Sequence, residues 1–450
     1  MDSPRSAYIH IPFCRRRCFY CDFPISVLGN RRRGETSLTV EGYVDVLCEE
    51  IGATPSGSTP LETVFFGGGT PSLLSVAQLR QILSQLRQRF GLEKNAEISM
   101  EMDPGTFTWD HLQGYLDSGI TRISLGVQSL DDALLEACGR FHRVADVYQA
   151  VEWLHQVGME NWSLDLIAGL PNLTLGAWKD QLQEAVDLGP RHISVYDLTI
   201  EPQTVFGKRY QPGHFPLPTD DHTATMYRLA QAVLTDSGYD HYEVSNYALP
   251  GYYCRHNLTY WRNQPHWGFG MGATSYINHQ RVSRPRTLTS YREWVASFQE
   301  RGGRHGDPSI PPAEQLLDRL MVGLRLREGI SGTVLQGLCD EATWQRLYGY
   351  LQPHIQKGWV CLETDETLLA NDQDPRGMAK ENSLITEKIL KPSHQIMAAR
   401  ETSAPLKSSV AIPPLSSLKG LKLSDPEGFL FSNVVLADVF QLFPELLPET

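Results

Sequence analysis

The sequence predicts an α/β fold built on parallel strands, and three observations carry that prediction. Six short apolar runs, at 8–11, 64–66, 98–102, 123–126, 164–167 and 193–198, alternate with amphipathic stretches. Most of these runs are near-continuously apolar, as strands covered on both faces are. Between them apolar residues recur at helical spacing, and strands alternating with helices fold as parallel βαβ units. A parallel barrel, complete or partial, satisfies all three observations; a sandwich or a bundle does not.

The first run, Tyr8-Ile9-His10-Ile11, leads into a loop that holds three cysteines. The second ends at Gly67-Gly68-Gly69-Thr70-Pro71 and precedes the clearest helix, 75–90, with Val76, Leu79, Ile82, Leu83, Leu86 and Phe90 on one side. Ser75 and Gln78 supply a capping box for its start. Helical patterns at 110–118, 144–157, 175–188 and 221–237 complete the alternation.

Beyond about residue 290 the texture changes. Gly302-Gly303 and the proline-rich 308–312 read as a linker over 291–312, separating a core of 1–290 from a smaller region, 313–450. That region shows helical patterns at 314–326, 332–339 and 342–356, then an apolar run at 358–363 that looks like a strand entering a hairpin. From 371 to 420 there is no sustained periodicity, and Ser, Pro, Lys and Glu abound; this predicts an unfolded insertion. A last helix is expected at 428–443.

Composition narrows the function. At 450 residues the length suits two or three domains, taking about 150 residues for each. There are 40 basic and 52 acidic side chains, a net charge of −12, which argues against general binding to nucleic acid or to anionic membranes. No apolar run approaches the roughly 18–20 residues of a membrane helix. The apolar stretch at 7–11 is too short for a secretory signal, so a cytoplasmic location is expected and peripheral membrane association is left open. Eight cysteines in this length do not make a disulfide scaffold.

Three of the eight sit in Cys14-Arg15-Arg16-Arg17-Cys18-Phe19-Tyr20-Cys21, a C-x3-C-x2-C pattern directly after the first strand. Thiolates are soft ligands that suit iron–sulfur clusters, zinc or copper(I). Ordinary clusters take four cysteines, and three would leave one iron open to an external ligand. A zinc ion held with His10 is the competing reading of the same residues. Barrel sites gather at the carboxyl ends of strands, where this loop lies.

This motif and the rest of the first 290 residues closely resemble the radical SAM superfamily, in its oxygen-independent coproporphyrinogen III oxidase-like branch, and within that branch the HemW-type heme chaperones. The similarity covers nearly the whole chain apart from 371–420. It implies a (β/α)6 partial barrel with a smaller C-terminal helix-plus-hairpin α+β domain. It also implies a [4Fe–4S] cluster on Cys14, Cys18 and Cys21, whose open iron binds S-adenosylmethionine (SAM).

Further SAM contacts follow from the resemblance. Gly68, Gly69 and Thr70 match the motif that holds the methionine amino group. Read alone, these glycines suit a tight strand-to-helix turn or a close approach of backbone N–H groups to a ligand. Glu101 ends the third strand in Glu101-Met102-Asp103-Pro104, where a carboxylate can accept ribose hydroxyls. Gln128, Arg140 and Asp165 match contact positions in the oxidase, as do Tyr8 and Tyr20. An Arg140–Asp165 ion pair is the structural alternative, since a buried carboxylate needs a partner.

Two features separate chaperone from oxidase. Oxidases of this branch carry a fourth cysteine two residues after the third, and here Phe23 stands in that place. His256-Asn257-Leu258-Thr259-Tyr260-Trp261 matches the HNxxYW motif of the chaperones, and imidazole is a standard heme ligand, which makes His256 the candidate heme residue. The expectation is a protein that binds heme and passes it to an acceptor protein. Oxidative decarboxylation of coproporphyrinogen III is the enzymatic alternative. Gly268-Phe269-Gly270-Met271-Gly272-Ala273 reads as a backbone-packing turn, and the triplets 15–17 and 31–33 as solvated arginines that could attract heme propionates.

Overall fold

Five of the six apolar runs become strands longer than their patterns, because flanking residues also pair, and the run at 193–198 shifts by one residue. The strands are β1 (Ser6–Ile11), β4 (Leu61–Gly68), β5 (Leu92–Met102), β6 (Arg122–Gln128), β7 (Trp162–Ala168) and β8 (His192–Asp197). Two-residue strands β2 (Phe13–Cys14) and β3 (Ser26–Val27) pair with each other at the base of the cysteine loop. The computed structural model describes residues 3–30, 33–57, 59–304, 310–364 and 412–443, in two compact units, Met1–Pro311 and Pro312–Thr450.

In the first unit the six strands run parallel in chain order within one nine-stranded sheet. Three edge strands escape the sequence pattern. β9 (Asp240–Glu243) and β10 (Asn246–Ala248) close one side antiparallel, and β11 (Trp267–Phe269) lies parallel to β1 at the other. They are three or four residues long, and β11 is the front half of the glycine-rich turn, so no periodicity marks them. A separate hairpin, β12 (Thr274–Ile277) and β13 (Gln280–Ser283), follows.

The helices cover the sheet as βαβ crossovers: α1 (Leu38–Ala53), α2 (Val76–Phe90), α3 (Trp109–Ser118), α4 (Asp132–Ala137), α5 (Val144–Gln156) and α6 (Leu175–Asp187). Short α7 (Val205–Arg209) precedes α8 (Asp220–Asp236), then α9 (Arg255–Trp261) and α10 (Leu288–Glu300). The reciprocal capping box at Ser75 and Gln78 is present, and α2 buries Leu79, Ile82, Leu83, Leu86 and Phe90. Helix α1 was hidden in the sequence by Glu50, an acid at a core position. Its carboxylate is fully buried against Arg284 Nε (2.8 Å), and it also accepts Tyr291 OH (2.5 Å) and Gly270 N–H (2.9 Å). The linker expected over 291–312 is corrected: residues up to Glu300 are helix, because Tyr291, Val295 and Phe298 belong to the core.

The second unit contains α11 (Pro312–Gly323), β14 (Ile330–Ser331), α12 (Gly332–Leu338), α13 (Glu341–Gln356), β15 (Val360–Thr364), β16 (Leu418–Leu423), α14 (Glu427–Leu430) and α15 (Ser432–Phe440). The strands form an antiparallel sheet in the order β14-β16-β15. The partner of β15 therefore comes from residue 418 onward rather than from a tight hairpin. The stretch expected to be unfolded, 371–420, is corrected at its end, where a single 3-10 turn, Leu415–Ser417, and the start of β16 are ordered. Residues 371–411 lie outside the described residues, as do Arg31 and Arg32 of the second arginine triplet.

Candidate functional site at the carboxyl ends of the strands

β1 ends at Ile11, and the chain turns over Pro12 into the cysteine loop, which is closed by Ser26 N–H to Pro12 O (2.6 Å) and Leu28 N–H to Cys14 O (2.9 Å). Arg17 reaches across the loop, donating to Cys21 O (3.1 Å), Phe23 O (3.0 Å) and Ile25 O (3.4 Å). Arg286 donates to Asp22 O (3.1 Å). Arg17 is thus exposed, as its triplet suggested, and is also a brace for the loop.

The glycine run packs directly on this loop. Gly68 sits at φ +110°, and a Cβ there would lie 2.4 Å from the His10 ring; one on Gly69 would lie 2.8 Å from both Ile11 O and Phe13 O. Neither position has room for a side chain. The N–H groups are already engaged: Gly68 N–H donates to Glu101 Oε2 (3.0 Å), Gly69 N–H to Ile11 O (2.9 Å) and Thr70 N–H to Phe13 O (2.7 Å). The idea that these N–H groups approach a ligand is corrected, because all three donate within the protein.

Cys14, Cys18, Cys21, Tyr20, Gly68, Gly69, Thr70, Glu101, Gln128, Arg140 and Asp165 all line one cavity of about 440 Å³. That falls within the range of about 300–1,000 Å³ typical of small-molecule sites. Thr70 Oγ1 lies 3.6 Å from Cys14 Sγ and 3.2 Å from Asp103 Oδ2. Arg140 donates to Cys18 Sγ (3.5 Å), Asp103 Oδ1 (2.5 Å) and Gly126 O (2.9 Å). The alternative of an Arg140–Asp165 pair is therefore corrected, because Asp103 is the partner of Arg140. Asp103 was missed as a site residue, although strand alternation puts it on the face of Glu101, two residues before.

Asp165 is held instead by hydroxyls, accepting from Ser124 Oγ (2.8 Å) and Ser163 Oγ (3.1 Å). Burial raises its pKa against the opposing pull of these serines, Ser194 and Arg122. Burial, reinforced by the charge of Asp165, pushes Glu101 up to about 8. Gln128 ends β6 at φ +69°, a conformation rare for a side-chain-bearing residue and often found where function demands it. Asp197, at the end of β8, also lines the cavity.

The donor set fits an iron–sulfur cluster. All three cysteines are free thiols that line the cavity, and burial pushes Cys14 up to about 12, so a cation is needed to hold it as thiolate. The competing zinc ligand His10 is engaged on both ring nitrogens, with Tyr8 OH and Pro24 O each at 3.1 Å.

Two expected residues lie elsewhere. Tyr8 lines a second, inner cavity of about 200 Å³, beneath the first and sharing Glu101, Ser124, Asp165 and Tyr196 with it. His256 lines neither cavity. It has no exposed surface, Nδ1 lies 2.7 Å from Thr63 Oγ1, and Nε2 lies 2.8 Å from Tyr260 OH. The assignment of His256 as a heme ligand is corrected on this geometry, since neither ring nitrogen is open. Helix α9 instead forms the floor of the inner cavity at the amino ends of the strands. Asn257 and Tyr260 line it, Thr259 pairs with Ser6 (2.9 Å), and Glu97 accepts the N–H groups of Arg255 (3.1 Å) and His256 (3.0 Å).

Residues 8–185 match the radical SAM superfamily. The chain is 43% identical to the heme chaperone HemW of Synechocystis sp., covering 98% of each chain. It is 35% identical to the heme chaperone HemW of Escherichia coli, over 75% of this chain and 88% of that one. Among solved structures, coproporphyrinogen III oxidase (HemN) from Escherichia coli, described as a radical SAM enzyme, matches with a TM-score of 0.67 over 80% of this chain and 85% of its own, at 22% identity. The last comparison shows a shared fold. Identity that runs essentially end to end shows more: the chain belongs to the HemW family within the radical SAM superfamily.

Proposed function

We propose that this protein is a heme chaperone on a radical SAM scaffold, which binds heme and passes it to an acceptor protein. Its full-length membership of the HemW family carries this reading. Phe23 supports it, because the oxidases this sequence resembles place a cysteine there. On this reading Cys14, Cys18 and Cys21 hold a [4Fe–4S] cluster, and SAM occupies the cavity between that loop and the strand ends. When bound, the pair would supply an electron and a reducible sulfonium. Cytoplasmic thiols stay reduced, which suits iron binding by three free cysteines.

The chain's own residues orient the ligand. On this reading the glycine run, which lines the cavity, borders the place of the ammonium group, and Glu101 and Asp165, both pushed toward their neutral forms by burial, present hydroxyl-binding oxygens. Arg140, fixed by Asp103 and Gly126 O, directs a guanidinium N–H at Cys18 Sγ. Helix α9 lines the inner cavity at the amino ends of the strands with Asn257 and Tyr260.

The test is anaerobic purification and reconstitution, followed by heme loading and incubation with apo heme proteins. We expect four irons and four sulfides per chain, lost in a Cys14→Ala/Cys18→Ala/Cys21→Ala variant, and heme transfer to an acceptor. Zinc without sulfide would overturn the cluster assignment. Protoporphyrinogen formed from coproporphyrinogen III would overturn a purely chaperone role.

A further inference from the structure

If α9 is structural, heme needs another place, and the geometry points to the rim of the main cavity. We infer that heme, a flat apolar ring with two propionates, lies across the cavity mouth on Phe23 and Phe141 with its carboxylates on Arg16 and Arg15. This rests on the heme-chaperone reading above and names the site it lacks.

Phe23 is 58% exposed and Phe141 37% exposed, and both line the cavity. Large exposed rings grouped at a cavity mouth mark a binding surface. The guanidinium of Arg15 lies 4.5 Å from the centre of the Phe141 ring and that of Arg16 5.3 Å, so one aromatic side chain carries two cations. Arg15 is further pinned to Gly105 O (3.0 Å), whereas Arg16 is exposed. In a chain of net charge −12, this concentrates positive charge where an amphiphilic dianion would meet apolar surface. Arg17 cannot serve in the same way, since its guanidinium is committed to three loop carbonyls. Size points the same way: about 440 Å³ suits one small cofactor, which leaves a macrocycle the rim rather than the interior.

Hemin titration of the full-length reconstituted protein, followed by absorbance, tests the site. Phe23→Ala, Phe141→Ala and Arg16→Glu should each weaken heme binding about tenfold. His256→Gln should stay within about threefold of the parent, since a group without open nitrogens contributes no axial bond. Iron and sulfide content measured alongside shows that the loop still folds. Loss of binding in His256→Gln with full binding in the rim variants would overturn the assignment. Rim variants that bind heme normally but fail to pass it on would also overturn it, marking the rim as an acceptor-docking face. A parent protein that binds no heme at all would instead sink the chaperone reading itself.

Discussion

Burial lifts Glu101 from 4.5 to about 8, pushing its carboxyl toward the neutral form. Between those values the folded protein retains a proton that the unfolded chain has released. Stability therefore falls as pH rises through that window. Glu101→Gln should flatten the fall and raise stability at pH 8 by on the order of 1–3 kcal/mol, measured by thermal melts at pH 6 and pH 8. An unchanged pH profile would remove Glu101 as its cause. Gly69→Ala should act at once on the loop, since its Cβ meets backbone rather than flexible side chain; we expect iron and sulfide content to fall well below half of the parent value. The cysteines, the glycine run and the strand-end acids were legible in the sequence because local spacing and strand ends mark them. Which acid meets Arg140 was not, since Asp103 follows β5 whereas Asp165 lies on β7, and only the folded sheet decides between them.

At the scale of elements, helix α9 and the buried pair behind the glycine-rich turn invite the sharpest tests. Glu97 caps α9 with both carboxylate oxygens, so Glu97→Gln should cost about 1–2 kcal/mol in urea unfolding. Glu50→Ala or Arg284→Ala should each cost about 3–5 kcal/mol by leaving a buried partner charge, and Glu50→Leu/Arg284→Met less than the sum. Additive losses in that cycle would mean the two side chains do not act as a pair. The six central strands and α2 could be read from periodicity because each buries a regular face. The edge strands could not, being only three or four residues long, and α1 was masked by its one buried acid. The HNxxYW segment was misplaced for a different reason: its residue types suit a heme ligand and a barrel floor equally well, and burial alone distinguishes them.

For the whole molecule, two compact units predict two calorimetric transitions. The cavity residues all fall within Met1–Pro311, so saturating SAM should move one transition upward and leave the other in place. A uniform shift of both would show that the units melt together. No helix among the described residues is long and apolar enough to cross a membrane. Phe23 and Phe141 stand at the mouth of the cavity that takes the small cofactor, and that imposes a queue on traffic through it. The small cofactor has to board first, and a macrocycle parked on Phe23 and Phe141 would then act as a cork. Release of SAM should slow when heme is present, so the doorway that admits the cargo also keeps the cofactor from leaving early.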